Sequence, residues 1–286
     1  MRIPGKWRLQ MAWRALQERR RHAKALAAVE RFPSVSRKLP HGLDRPLVVT
    51  LTSYPARFGD LDKTLKSLLD QTVPPDLVVL WLAENDFAEV PDSVKDLKPF
   101  NFEIRPCAEL RSYKKLIPAL ESFPDSFLVT ADDDLYYPND WLKNLIDCYP
   151  GGQIIPCHRI HMAKRRSDGF LLPYQDWELE TSRQAAADEN EILFPTGGAG
   201  CLYPPGALDP VVTKDDLFLN LAPNADDVWF FWCARMAGSK HINTPQAFEM
   251  IEWPTSQDVA LKHDNFFSDG NDRQIRALEN HFGPVP

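Results

Sequence analysis

Hydrophobic residues fall into short runs separated by amphipathic stretches, the pattern of an alternating α/β chain. The run LVVTLTS at 47–53 is apolar and β-branched and reads as a buried strand. Residues 60–69 then place Leu61, Leu65, Leu68 and Leu69 on one helical face, and TVPP at 72–75 stops that helix. LVVLWL at 77–82 is a second buried strand, close enough to the first to make a right-handed β-α-β unit in a parallel sheet. Further along, 102–104 predicts a short strand, 112–122 a helix broken or bent at Pro118, 126–130 another core strand, and 139–148 a helix with Trp141, Leu142, Leu145 and Ile146 on its apolar side. An open sheet of this kind binds ligands beyond the carboxyl ends of its strands. From 158 to 193 no period is sustained, which predicts a substrate-shaping region in place of core. Order returns with an aromatic helix over 226–237 and a last helix over 272–282.

Residues 1–40 have a different character, a helix over 4–28 followed by a linker over 32–40. Leu9, Trp13 and Leu16 recur at helical spacing, with Arg14, Arg19, Arg20, Arg21 and Lys24 elsewhere around the helix. Residues 1–38 hold eleven Arg/Lys against two acids, whereas the other 248 hold 22 basic and 38 acidic groups. An acidic body with one short basic arm is unsuited to nucleic acid, which asks for a basic groove on the fold, so no nucleic-acid partner is expected. Two readings fit the arm: a helix lying in the headgroup layer of an anionic membrane, or one packing its stripe on the body or on a second copy.

Composition narrows the class: 44% hydrophobic and 26% charged residues set aside disordered and coiled-coil chains. Five scattered cysteines without a CxxC pair predict reduced thiols in place of a disulfide framework or a thiolate zinc site. The longest apolar run, 77–83, falls far short of the roughly 20 residues of a membrane span, so neither a span nor a signal peptide is expected. The expected location is cytoplasmic, with peripheral attachment to the inner face of the membrane through residues 1–38.

The chemistry concentrates at Asp132, Asp133 and Asp134, directly after an apolar strand. Like charges about 4 Å apart repel by about 4 kcal/mol at an effective dielectric near 20, so a cation should relieve them. All-oxygen ligands favour Mg²⁺ or Mn²⁺, with phosphate oxygens completing the shell, and strand alternation would set Asp132 and Asp134 on one side. A turn capping the next helix is the structural alternative. SYKK at 112–115 offers Lys114 or, preferred, Lys115 to a phosphate, or simply a solvated charge. TGGAG at 196–200 lets backbone approach a ligand through Gly197 and Gly198, but lacks any P-loop lysine. Asp226 and Asp227 open the aromatic helix, where acids are favoured whatever their role. Trp177, Trp229, Trp232 and Trp253 are candidates for stacking on sugars or for core.

TLTSYPAR at 50–57, SLLDQT at 67–72, PDLVVL at 75–80 and ADDDLYYP at 131–138 together resemble the opening of GT-A-fold glycosyltransferases related to family 2. The resemblance covers 47–150, and the second half only by isolated motifs. It implies an α/β, GT-A-like open, mostly parallel sheet, with 41–150 as the nucleotide-sugar half and 151–286 as the acceptor and catalytic half. It also implies a nucleotide-diphospho-sugar donor held by Thr50, Ser53, Tyr54, Arg57, Lys114 or Lys115, Asp132, Asp133, Gly197 and Gly198. LAEND at 82–86 replaces the Asp-Asp-Gly-Ser of many relatives, leaving Glu84 for the base contact. Asp132 would face the nucleotide and Asp134 the metal; Asp227 maps to the catalytic base beside Asp226, and His263 to a metal-ligating histidine. The expected function is thus metal-dependent transfer of a sugar to a hydroxyl of a glycan or glycolipid, inverting if Asp227 is the base. A haloacid-dehalogenase-type phosphatase and a non-catalytic glycan-binding protein on the same fold are the rival readings.

Overall fold

The computed structural model describes residues 5–186, 190–246, 248–254 and 270–286, with side chains from residue 10 onward. Its elements run α1 (Gly5–Val29), β1 (Leu47–Thr52), α2 (Leu61–Leu69), β2 (Leu77–Ala83), α3 (Asp92–Lys95), β3 (Phe102–Cys107), α4 (Ile117–Ser122), β4 (Phe127–Thr130), α5 (Trp141–Cys148), β5 (Ile154–Cys157), β6 (Ile160–Lys164), β7 (Glu191–Pro195), β8 (Leu202–Tyr203), α6 (Asp215–Leu221), α7 (Asp226–Met236), β9 (Lys240–Asn243) and α8 (Gly270–Phe282). The main sheet has the order β3-β2-β1-β4-β8; its first four strands are parallel and β8 is antiparallel to β4. Two small ladders, parallel β5–β9 and antiparallel β6–β7, lie outside it.

The apolar runs become strands because both faces of the sheet are covered. Val48, Val79, Trp81 and Leu128 point into one core, which also holds the α7 aromatics. Leu47, Val49, Leu51, Val78, Leu80 and Val129 point into the other, with Leu61, Leu65 and Leu68 of α2 and Trp141, Leu142 and Leu145 of α5. Successive residues thus feed opposite cores, and a continuous apolar run is what a doubly covered strand requires.

Two regions depart from the sequence reading. The 112–122 helix divides into a 3₁₀ turn at Arg111–Lys115 and α4, and Pro118 lies in the first turn of α4, where its missing N–H is no loss. The 158–193 stretch contains β6, which pairs with β7 from Ile160↔Pro195 to Lys164↔Glu191. Met162, Ala163, Leu193 and Phe194 are buried in the α7 core, so packing from a distant helix, absent from any local period, makes this hairpin.

Helix α1 meets the body through Ala25 and Val29, which pack with Trp253 against Tyr136 and Ile251. The stripe expected to do this does not: Trp13 is 62% exposed and Leu16 46%.

Candidate active site

Because β1, β2 and β4 are parallel, the segments after their carboxyl ends share one edge of the sheet. Asp132, Asp133 and Asp134 lie there, past the end of β4, and 133–134 form a turn. The turn cancels strand alternation, so Asp132 and Asp134 do not share a side as expected. Arg57 Nη1 donates to Asp133 Oδ1 at 2.7 Å and to Asp134 Oδ2 at 3.1 Å, while Ser53 Oγ donates to Asp133 at 2.5 Å. Burial pushes the Asp133 carboxyl up in spite of Arg57 and Ser53. Burial alone would lower the Arg57 guanidinium, but Asp133 and Asp134 outweigh it and raise its pKa. Asp132 turns the other way and accepts from Lys115 Nζ at 2.7 Å.

Lys115 joins the two acidic motifs, since its ammonium also lies 3.1 Å from Asp226 Oδ2 at the start of α7. Its backbone is fastened on both sides. Thr50 Oγ1 donates to Lys115 O at 2.7 Å, and Arg111 donates to Pro223 O and Asn224 Oδ1 just before α7. Arg111 adopts φ +56°, a left-handed geometry that this clamp must hold in place. Burial opposes the Lys115 charge, yet Asp132, Asp226 and Asp227 hold its pKa well above the usual value.

Asp227 is half-buried, and its Oδ1 accepts from the Gly197 N–H at 2.9 Å. Burial first, and Asp226 next, push its pKa up to about 7 against the opposing pull of Lys115 and Gly197. Gly197 and Gly198 separate the two acidic motifs: a Cβ on Gly197 would lie 2.8 Å from Asp227 Oδ1, and one on Gly198 would overlap the Asp132 carboxylate. Tyr137 seats this loop, since its hydroxyl accepts from Asp132 N at 2.8 Å and donates to Gly198 O at 2.6 Å. Trp141 Nε1 donates to Ala199 O at 2.7 Å. Gly200 has φ +113°, and its Cβ would fall 2.7 Å from the Trp141 ring. Gly200→Ala is therefore expected to destabilise the protein by about 2–4 kcal/mol through strain and overpacking together. Gly238→Ala, at φ +79° with no atom within 4 Å of the new Cβ, should show the strain alone, about 1–3 kcal/mol. Urea midpoints of the two variants measure the difference.

The structure brings Ser53, Arg57, Lys115, Asp132, Asp133, Asp134, Gly197, Gly198, Asp226 and Asp227 to one edge. It corrects several other expectations. Thr50 is fully enclosed and its hydroxyl is engaged by Lys115 O and by Trp81 Nε1 at 2.9 Å, so it supports the Lys115 segment in place of facing a donor. Lys114 is ion-paired to Glu109, on the other side from the aspartates' partner Lys115. Trp177, Trp229, Trp232 and Trp253 are all at most 5% exposed and belong to cores, leaving no face for a sugar. Tyr54 is 37% exposed with the Arg57 guanidinium 5.8 Å from its ring centroid, and Glu84 is exposed just after β2. His263 lies outside the described residues. Sequence reasoning missed Tyr137, Arg111 and the segment 248–253, whose Trp253 N donates to Asp134 O at 2.8 Å. Only Tyr137 had a signal, its place beside the aspartates; the other contacts span 112 residues or more.

Five carboxylates at this edge share two cations, Lys115 and Arg57, among the described residues. Surplus negative charge and an all-oxygen donor set fit a hard divalent cation. Asp132 has the most exposed side chain of the three, 35% against 6% and 11%, and would hold it, whereas Asp134 is turned toward Arg57. No group of three ligating side chains forms a ready cage among the described residues. That suits an ion that takes one or two carboxylates and completes its shell with phosphate and water.

No protein-family model and no curated protein matches the chain. Among solved structures, the fold is similar to a mannosyltransferase from Pyrobaculum calidifontis in complex with GDP-Man and Mn²⁺, at 13% identity and TM-score 0.45, covering 80% of this chain and 62% of that one. This chain thus spans about three fifths of that protein's length. TarS from S. aureus, residues 1–349, is similar at 15% identity and TM-score 0.48, covering 84% and 81%. A 4-diphosphocytidyl-2C-methyl-D-erythritol synthase from Anaerococcus prevotii is similar at 14% identity and TM-score 0.42, covering 83% and 96%. The architecture itself is an α/β fold with a mostly parallel mixed sheet, as its strand order and pairing show.

Proposed function

We propose that the protein is a glycosyltransferase that moves a sugar from a nucleotide-diphosphate donor to a hydroxyl of a glycan or glycolipid. The observation that carries the reading is Asp227, a partly accessible carboxylate with its pKa near 7, set across the Gly197–Gly198 loop from the Asp132–Lys115 pair. A general base working near neutral pH needs that poise, because it must be ionised yet still bind a proton. Asp227 takes the proton of the acceptor hydroxyl as its oxygen attacks the anomeric carbon, and the bond from that carbon to the diphosphate breaks. A single displacement of this kind inverts the anomeric centre. Asp226 is ion-paired with Lys115 and raises Asp227 by like-charge repulsion. Asp132 would hold Mg²⁺ or Mn²⁺, which when bound neutralises charge on the departing diphosphate, and Asp134 would join it only by turning from Arg57. Ser53 and Arg57 keep the aspartate turn in shape.

The test is a thermal-shift panel of UDP-, GDP-, CMP- and dTDP-sugars with and without Mn²⁺. One nucleotide-sugar at 100 times its Kd is expected to stabilise the fold by about 2.7 kcal/mol in the presence of Mn²⁺, and EDTA should abolish the shift. An absence of any nucleotide-dependent shift, with phosphate released from simple phosphomonoesters, would favour a phosphatase.

A further inference from the structure

Helix α1 uses only part of its surface to hold itself to the protein. Ala25 and Val29 are buried on the body, and Arg21 forms an ion pair with Glu249 at 2.5 Å. At 3.6 residues per turn, Trp13, Leu16 and Arg20 lie about 140–180° around the axis from Val29, and Lys24 adjoins Arg20 one turn on. The exposure agrees: Trp13 is 62% and Leu16 46% exposed, and Arg20 and Lys24 are exposed too. Among the described residues, no element packs on that face. Between residues 10 and 29 the helix carries five Arg/Lys against Glu18, on a protein whose residues 39–286 carry 38 acids and 22 basic groups.

We propose that α1 is a docking arm for an anionic lipid bilayer, with Trp13, Leu16, Arg20 and Lys24 lying in the headgroup layer. The face combines an amphipathic indole, an aliphatic side chain and long cationic side chains, which together match the interface between headgroups and acyl chains. The acidic body is repelled by the same surface, so attachment runs through the arm and has one orientation. That orientation keeps the aspartate turn on the seat side of α1, with the helix, about 10 Å across, between it and the bilayer. The seat of α1 is Tyr136, Ile251 and Trp253, and Trp253 donates from its backbone to Asp134 O at 2.8 Å and from Nε1 to Thr64 Oγ1 at 3.0 Å. Thr64 Oγ1 in turn donates to the backbone oxygens of Asp133 and Leu135. The arm is thus two contacts away from the cleft, and a substrate held in the membrane would meet the site without the protein leaving the surface.

The full chain is tested by co-sedimentation with phosphatidylcholine vesicles with and without phosphatidylglycerol, across salt concentration. Binding is expected only with phosphatidylglycerol, and to weaken as salt rises. Arg20→Gln with Lys24→Gln should weaken partition about 25-fold, near fivefold for each basic residue removed, and Trp13→Ala with Leu16→Ala should weaken it at every salt concentration. Neither pair should move the thermal midpoint, because among the described residues these side chains make no contact that holds the fold. Equal binding to pure phosphatidylcholine, no binding at low salt, or binding unchanged in both variants would overturn the proposal. So would a dimer, seen by light scattering, that both variants dissociate, because that face would then cover a second copy. No substrate enters these measurements, so their failure leaves the transferase reading standing.

Discussion

Asp227→Asn is expected to lower the transfer rate by about 100-fold or more while leaving donor affinity nearly unchanged, the scale of a lost general base. The substitution keeps the side chain's size and its acceptor for the Gly197 N–H, so a collapse of the loop is not the cause of the loss. The pH profile identifies the group. With a pKa near 7, activity should fall tenfold per unit below that pH, and Asp226→Asn, by removing the neighbouring like charge, should move this limb to lower pH. Stability gives a second readout with the opposite sign. Asp227 holds its proton to about pH 7 when folded but releases it near the ordinary aspartate value of 3.8 when unfolded, so its ionisation opposes folding as pH rises through that window. Above pH 7 the Asn variant should therefore be more stable than the parent, on the order of 2 kcal/mol after allowance for partial solvent access. Urea midpoints at pH 5 and pH 8 check this, and a structural carboxylate would show the reverse.

Lys115→Met should reduce stability by about 3–5 kcal/mol, because it leaves Asp132 and Asp226 facing each other across the place of a buried ammonium. Met fills most of the volume, so the loss reports charge more than packing. Adding Asp226→Asn to Lys115→Met should recover part of the stability by removing one uncompensated charge. In donor titrations the single variant should bind nucleotide-sugar more weakly, because Lys115 orients Asp132. A Lys115→Met protein with unchanged stability and unchanged donor binding would contradict the ion-pair bridge between the two acidic motifs.

Much of the α/β half was legible in the chain because its signals are local. Runs such as 47–49 and 77–83 are apolar throughout, since each strand is covered on both faces, and the Leu61, Leu65 and Leu68 period follows from one helix on one face of a sheet. Asp132–Asp134 and Asp226–Asp227 could be singled out because acids beside apolar runs conflict with burial. Which acid meets which cation was not legible. The Asp132–Asp134 alternation failed because β4 stops at Thr130 and a turn follows, and Thr50 and Lys114 were drawn inward by partners far along the chain or by a local acid. The arm shows the same division. Its charge and helical period are sequence properties, but Ala25 and Val29, not Trp13 and Leu16, became the seat, because only small side chains let the helix approach Trp253 and Tyr136 closely. Local order depends on neighbours within a turn or a strand, whereas the identity of a salt-bridge partner, the poise of Asp227 and the free face of α1 depend on groups that only folding brings together.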